Sequence, residues 1–425
     1  MYDLVFRKVR LSGAEAAVDV AVSGSDIAVI GSVPSGTGAQ EVDGSGLLLL
    51  PPFVESHIHL DTVLTAGEPA WNESGTLFEG IRLWQARKQE LTREDVLQRA
   101  EAVIRAQVAG GILHVRTQAD ISDPKLTALR ALLELRELVR PFVQLQVIAF
   151  PQDGLIACPD NVQRLEEAIR LGADGIGAIP HCEPTREAGL TSLDICFTLA
   201  AKYNRFVHVF CDELDDGHSR FLEAVAELAL RTGLRERVTA SHVNATAYYS
   251  EAYFQKLLGL LVRSGIHIVS CPLINSAMQG RFDGYPKGRG IARIKELWQA
   301  GVNVSIAHDD IRTPFYPLGT GSMLQAAHMA VHLAHMTGRE ELEEALRMVT
   351  VRAADVLQLG DQYGLAPGKP ASFILLPGRD ASDLLAAQPA CRYVVSQGRV
   401  VSVTVPARTV LMEQLLFECK ASEAI

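Results

Sequence analysis

Eight short apolar runs recur along this chain, and their spacing limits the fold more than any other feature. They are LLLLPPFVESHIHL (47–60), GILHVRT (111–117), VQLQVIAF (143–150), GADGIGAIPH (172–181), RFVHVF (205–210), RVTASH (237–242), IHIVSCPL (266–273) and NVSIAH (303–308). From the third on, each begins roughly 25 to 40 residues beyond the last, a period that leaves room for one helix between strands. Amphipathic patterns such as REDVLQRAEAVIRAQVAGG (93–111) and SRFLEAVAELALRTG (219–233) fill the gaps. Eight strands alternating with helices over about 260 residues predict a (β/α)8 TIM barrel. A doubly wound open sheet is the alternative, but it usually carries fewer strands and a glycine-rich first turn. Neither GxGxxG nor GxxxxGK[ST] follows the first strand, so nucleotide phosphate binding has no support.

The two ends of the 425-residue chain differ from its middle. YDLVFRKVRL and AVDVAVSGSDIAVIG near the start, and APGKPASFILLPG and CRYVVSQGRVVSV near the end, read as short alternating strands. Neither end could bury a core alone. They are expected to pair into one small β-sandwich, residues 1–50 giving one half and 366–425 the other, around a catalytic barrel at 51–365. The formal charge of −10 argues against nucleic acid as a partner and leaves no basic membrane patch. No run of 18 apolar residues and no signal-peptide pattern is present, so no membrane role is expected. Seven scattered cysteines without a CxxC pair point to free thiols and a cytoplasmic setting.

Reactive groups of such a barrel sit at the C-terminal ends of its strands. The first strand ends in His57-Ile58-His59, and alternation puts both imidazoles on one face, where they could bind a divalent ion. The eighth ends in His308-Asp309-Asp310; an aspartate there could complete a metal shell or act as a base. Gln152-Asp153, His181-Cys182-Glu183, Asp212-Glu213 and Ser241-His242 close four other strands. Polar groups at six strand ends of otherwise apolar strands converge on one candidate site.

The segments LPPFVESHIHLDT, SGTLFEGI, HVRT, AFPQDG, GAIPHCEPTRE, CDELDD, TASH, QGRFDGYPKGRGI and AHDD…YPLGTGSMLQ resemble bacterial cytosine deaminase of the amidohydrolase superfamily, in order, from about residue 45 to 400. The resemblance implies a barrel with a β-sandwich from both ends, a single Zn²⁺ or Fe²⁺ ion, and hydrolytic deamination of a pyrimidine-like ring with release of ammonia. By that resemblance His57, His59 and Asp309 match metal ligands, and Asp309 is also counted with the catalytic groups. Glu213 matches the proton-shuttling carboxylate, and His242 the histidine that holds or polarises the water. Gln152 matches the amide that pairs with the ring edge, while Leu77, Phe210, Asp310 and Phe315 are placed against the substrate. Relatives often assemble through barrel surfaces, so a homo-oligomer is expected, with a small heterocycle as the partner molecule.

One position departs from the pattern. The family's His-Cys-Asp-Glu at strand 5 is Phe210-Cys211-Asp212-Glu213 here, so a third imidazole is missing. His208 lies two residues earlier, about 6.6 Å deeper at ~3.3 Å per residue, and is expected to hydrogen-bond inside the barrel rather than ligate. Cys211 points to the opposite face, and Gln118 stands where the family tends to keep another His. An altered metal site is therefore expected. The alternatives are a metal-independent lyase, cyclase or isomerase on the same barrel, or a non-catalytic ligand-binding paralogue. His328, His332 and His335 share helical spacing, but the Met- and Ala-rich stripe around them predicts ordinary packing.

Overall fold

A computed structural model describes residues 1–14 and 16–407; the last part of the 366–425 segment lies outside the described residues. Two sheets organise the chain. The outer sheet holds β1 (Tyr2–Leu11), β2 (Val18–Ser23), β3 (Asp26–Gly31), β4 (Gly38–Asp43) and β5 (Leu47–Leu50). The barrel follows, with β6 (Phe53–Ile58), β7 (Ile112–Asp120), β8 (Gln144–Phe150), β9 (Gly175–Ala178), β10 (Phe206–Cys211), β11 (Val238–His242), β12 (His267–Ser270) and β13 (Asn303–Ile306). The chain then returns to the outer sheet with β14 (Phe373–Pro377), β15 (Tyr393–Ser396) and β16 (Arg399–Val403).

The eight strands β6 to β13 pair in sequence order, all parallel, and a single bridge between Ile58 and Asp309 joins the first to the last. That is the (β/α)8 barrel expected from the eight runs. In the outer sheet the order is β16-β15-β14-β5-β1-β2-β3, with β4 against β1, so strands from both ends of the chain meet at the β14–β5 pair.

One expected run divides. LLLLPPFVESHIHL is two strands, because Pro51-Pro52 cannot donate to a ladder and breaks the pairing between β5 and β6. The four leucines of β5 are buried on both faces, and the period of two explains why. Leu47 and Leu49 face the outer core with Phe6 and Phe373, while Leu48 and Leu50 face the barrel core. Gly111 marks where the two layers touch. Its φ of +89° is left-handed, and a Cβ there would sit 2.7 Å from Cys391 Sγ.

The helices cover the barrel as their patterns require. Helix Arg93–Ala109 buries Val96, Ala100, Val103, Ile104 and Val108 on one stripe, and Thr92 caps it by accepting from Asp95 N at 3.1 Å. The histidine-bearing helix Met323–Leu333 packs outside the barrel. His328 Nδ1 donates to Leu385 O and His332 Nδ1 to His328 O, both at 2.8 Å, and His335 lies beyond the helix end. Among the described residues no helix is long and apolar enough to cross a membrane.

Candidate active site

The C-terminal ends of the strands bring a histidine and carboxylate cluster to one mouth of the barrel. His57 Nε2 lies 3.6 Å and His59 Nε2 3.9 Å from Asp309 Oδ1, and His242 Nε2 lies 3.9 Å from Asp309 Oδ2. His242 and Asp309 hold left-handed backbones, φ +69° and +70°, as does Asp212 at +50°. Non-glycine residues adopt that region at a cost, and it concentrates at functional sites. Here it turns the chain sharply at the end of each strand.

His57 is oriented from below. Its Nδ1 shares a 2.8 Å hydrogen bond with His208 Nε2, so Nε2 is left for the cluster. His208 thus makes the internal hydrogen bond expected of it. Cys211 Sγ lies 3.6 Å from Asp212 Oδ2, away from the cluster. Asp212 is a structural cap: it accepts from Phe221 N, Leu222 N, Ser219 Oγ and Tyr249 Oη at the start of helix Phe221–Thr232.

Glu213 stands between two imidazoles, with Oε1 3.7 Å from His242 Nδ1 and Oε2 3.7 Å from His181 Nε2. Burial pushes its carboxyl up, but His242 and His181 outweigh burial and hold it down at about 2. Burial pushes His181 down, yet Cys182 and Glu213 raise it to about 10. Its Nδ1 donates to Phe210 O at 3.1 Å, which aims Nε2 at Glu213. Sequence reasoning placed His181 at a strand end without a role. Glu183 beside it accepts from Leu155 N, Ile156 N and Ala157 N and so pins the loop that carries Gln152.

Phe210 fills the strand-5 side of the cluster. Its ring stacks on Phe150 at 4.1 Å and 21°, with His57 at 4.6 Å, His242 at 5.1 Å and His59 at 5.3 Å between ring centres. It offers no donor atom to an ion. The opposite side supplies one that the sequence analysis did not single out: Cys271, directly after β12. One ligand atom each from His57, His242, Cys271 and Asp309 lie within 4.8 Å of one another, all buried. The signal was present, since Cys271 lies in the seventh run, but a lone cysteine without a partner motif says little.

These residues fit a divalent cation. His57 Nε2, His242 Nε2 and Asp309 Oδ1 are buried without a hydrogen-bond partner, a costly state unless a ligand satisfies them. Burial, with the neighbouring imidazoles, holds His57 well below the ordinary histidine range, and burial and His242 bring His59 to about 3, so both are neutral donors. Burial, then Asp310 and Glu213, pushes Asp309 well above the carboxylate range, the response of crowded anions that a bound cation would reverse.

Above the cluster lies a small cavity. His59, His242 and Asp309 form part of its wall with Gln152, Glu213 and Asp310, and Leu77, Ile81, Ile179, Phe210, Ile274 and Phe315 supply the apolar part. All the residues expected to touch substrate therefore face one space. Ile81, Ile179 and Ile274 join them; they sit among ordinary apolar residues of loops and helices, where sequence gives no sign of a pocket. Gln152 is buried and lines this cavity.

A closed barrel with neutral imidazoles, an acid at strand 8 and an ionised glutamate over a small pocket is the arrangement of a metal-assisted hydrolase. The sequence profile described as "Amidohydrolase family" matches residues 40–134 and 87–402. The chain belongs to the amidohydrolase family. The crystal structure of 5-methylcytosine deaminase from Klebsiella pneumoniae, liganded with 5-fluorocytosine, superimposes with a TM-score of 0.93 at 42% identity, covering 96% of this chain and 99% of that one. N-isopropylammelide isopropyl amidohydrolase of Pseudomonas sp. (strain ADP) is 27% identical over 94% of this chain and 97% of its own length. Pterin deaminase of Rhizobium rhizogenes is 28% identical over 88% and 86%.

Proposed function

We propose that this protein deaminates a cytosine-type ring by hydrolysis, with a 5-substituted cytosine such as 5-methylcytosine as the preferred substrate. The observation that carries the reading is the cavity, where Glu213, Gln152 and Asp310 meet one apolar wall directly over the ligand cluster. The 42% identity to the Klebsiella deaminase supports the same ring class.

Asp309, His57 and His59, with His242 beside them, would hold a zinc or iron ion. When bound, such an ion supplies the positive charge that makes water a nucleophile near neutral pH. Gln152 pairs its amide with the donor and acceptor edge of the ring, and a ring with the wrong edge leaves that amide unpaired. Glu213, ionised between two imidazoles, takes a proton from the attacking water and passes it to the ring nitrogen. As the water oxygen bonds to the amine-bearing carbon, the C–N bond breaks. The amine takes up the second proton and leaves as ammonia. Asp310 offers a carboxyl oxygen to the amine. Leu77, Ile81, Ile274 and Phe315 pack against the ring's apolar edge.

Ammonia release from cytosine, 5-methylcytosine, a pterin and an aminotriazine, by zinc- and iron-loaded protein, tests the reading. Turnover of the pyrimidines is expected, with 5-methylcytosine favoured about 10-fold in kcat/KM for its buried methyl group. No ammonia from either pyrimidine would sink it.

A further inference from the structure

The strand-5 side of the cluster holds Phe210, yet three buried atoms still point into one space without partners. Cys271 closes that space from strand 7. It follows β12 and lies between the strands that carry His242 and Asp309, so four consecutive strands around the barrel contribute one donor each. We propose that Cys271 is a thiolate ligand of the resident divalent ion, sharing it with His57, His242 and Asp309, and that it makes up for the donor that Phe210 cannot give.

The spacing fits. Neighbouring ligand atoms of a tetrahedral zinc shell with bonds of 2.0 to 2.3 Å are about 3.3 to 3.8 Å apart; these four lie within 4.8 Å of one another, so side-chain shifts of about 1 Å bring them into the shell. The burial fits as well, because Cys271 is fully buried and solvent cannot easily complete the shell from that side. The charges also balance. Two neutral imidazoles, one carboxylate and one thiolate neutralise a divalent cation, and the thiol proton passes to solvent buffer as the sulfur–metal bond forms, with no change of oxidation state. His59, 3.9 Å from Asp309 on the cavity side, remains available as a further donor. A thiolate in the shell favours zinc over harder ions.

This inference rests on the reading that the cluster holds an ion, and not on the identity of the substrate. Zinc-loaded wild-type protein, measured by X-ray absorption at the zinc edge, is expected to show one sulfur neighbour at about 2.3 Å beside lighter neighbours at about 2.0 to 2.1 Å. Cobalt-loaded protein is expected to show an intense near-ultraviolet sulfur-to-cobalt band. Cys271→Ser should abolish that band and weaken zinc binding by at least about 10–100-fold. Cys182→Ala, which changes a half-buried thiol packed by Phe210, should leave the band unchanged. Bound zinc with only nitrogen and oxygen neighbours overturns the proposal and leaves the hydrolase reading intact. Failure to bind zinc, cobalt or iron overturns both. Sulfur ligation without pyrimidine turnover supports the proposal and removes the substrate reading alone. Should Cys271→Ser fail to fold, the wild-type zinc spectrum decides the question.

Discussion

His208 does not line the cavity over the cluster, yet it governs one of the groups of the cluster itself. Its 2.8 Å bond to His57 Nδ1 fixes the ring and leaves Nε2 facing the cluster. Supporting bonds of this kind tune metal ligands, and their loss typically costs 10–100-fold in affinity. His208→Leu should therefore weaken zinc binding by about 10–100-fold, read by competition with a chelating dye, while the strand remains apolar and packed. Unchanged zinc affinity would show that His57 needs no support. Glu213→Gln tests the proton shuttle. The amide cannot take a proton, so kcat should fall by about 10²–10⁴ with little change in zinc content. Five residues of the cluster and cavity, His57, His59, Asp309, Glu213 and Gln152, were legible because each ends or follows a largely apolar strand and lies in a segment that resembles the cytosine deaminase family. Cys271 and His181 were visible at strand ends too, but nothing in their neighbours gives them work. Their meaning comes from distances across the barrel, which a sequence does not carry.

Secondary elements hold those residues through bonds that only the folded chain reveals. Gln152 follows β8 on a loop whose backbone N–H groups at 155, 156 and 157 all end on the Glu183 carboxylate, which comes from the strand-4 end. A carboxylate that accepts several backbone bonds acts as a substitute for a helix cap. Glu183→Ala leaves at least the buried Leu155 N–H unpaired, at a cost of roughly 1–3 kcal/mol. It should also let Gln152 drift, so KM for the pyrimidine should rise by about 10-fold or more while zinc binding stays the same. Steady-state kinetics beside a urea midpoint would separate the two effects; an unchanged KM would make Glu183 a stability residue only. The eight barrel strands were legible because each is a short apolar run at a regular interval. The β5–β6 break was less so. It depends on Pro51-Pro52 and on four leucines that serve two cores, a division that alternation permits but does not announce.

At the scale of the whole molecule, the mouth of the barrel carries the chemistry and the opposite end carries stability that responds to pH. Two histidines lie there, at the starts of their strands. His114 of β7 is paired through Nδ1 with Gln144 Oε1 at 3.1 Å, and His267 of β12 accepts from Asn303 Nδ2 at 2.8 Å. Burial lowers both to about 4; Gln144 partly offsets it for His114, and Arg116 adds to it for His267. An unfolded histidine titrates near 6.5. Between pH 6.5 and 4 the unfolded chain therefore binds protons that the folded chain refuses, and folded stability falls as pH falls through that window. Above about pH 7 these two groups contribute no slope. Each can remove on the order of 3 kcal/mol by pH 4, at ~1.4 kcal/mol per unit. Buried carboxylates at the mouth, such as Asp310 at about 7, have the opposite sign, so the total curve mixes both. The difference between wild type and His114→Gln isolates one group. The variant, with no titrating ring, should lose less stability than wild type between pH 7.5 and 5 in urea melts of protein in one metal state. If the two midpoints fall in parallel over that range, His114 is not a source of the acid sensitivity.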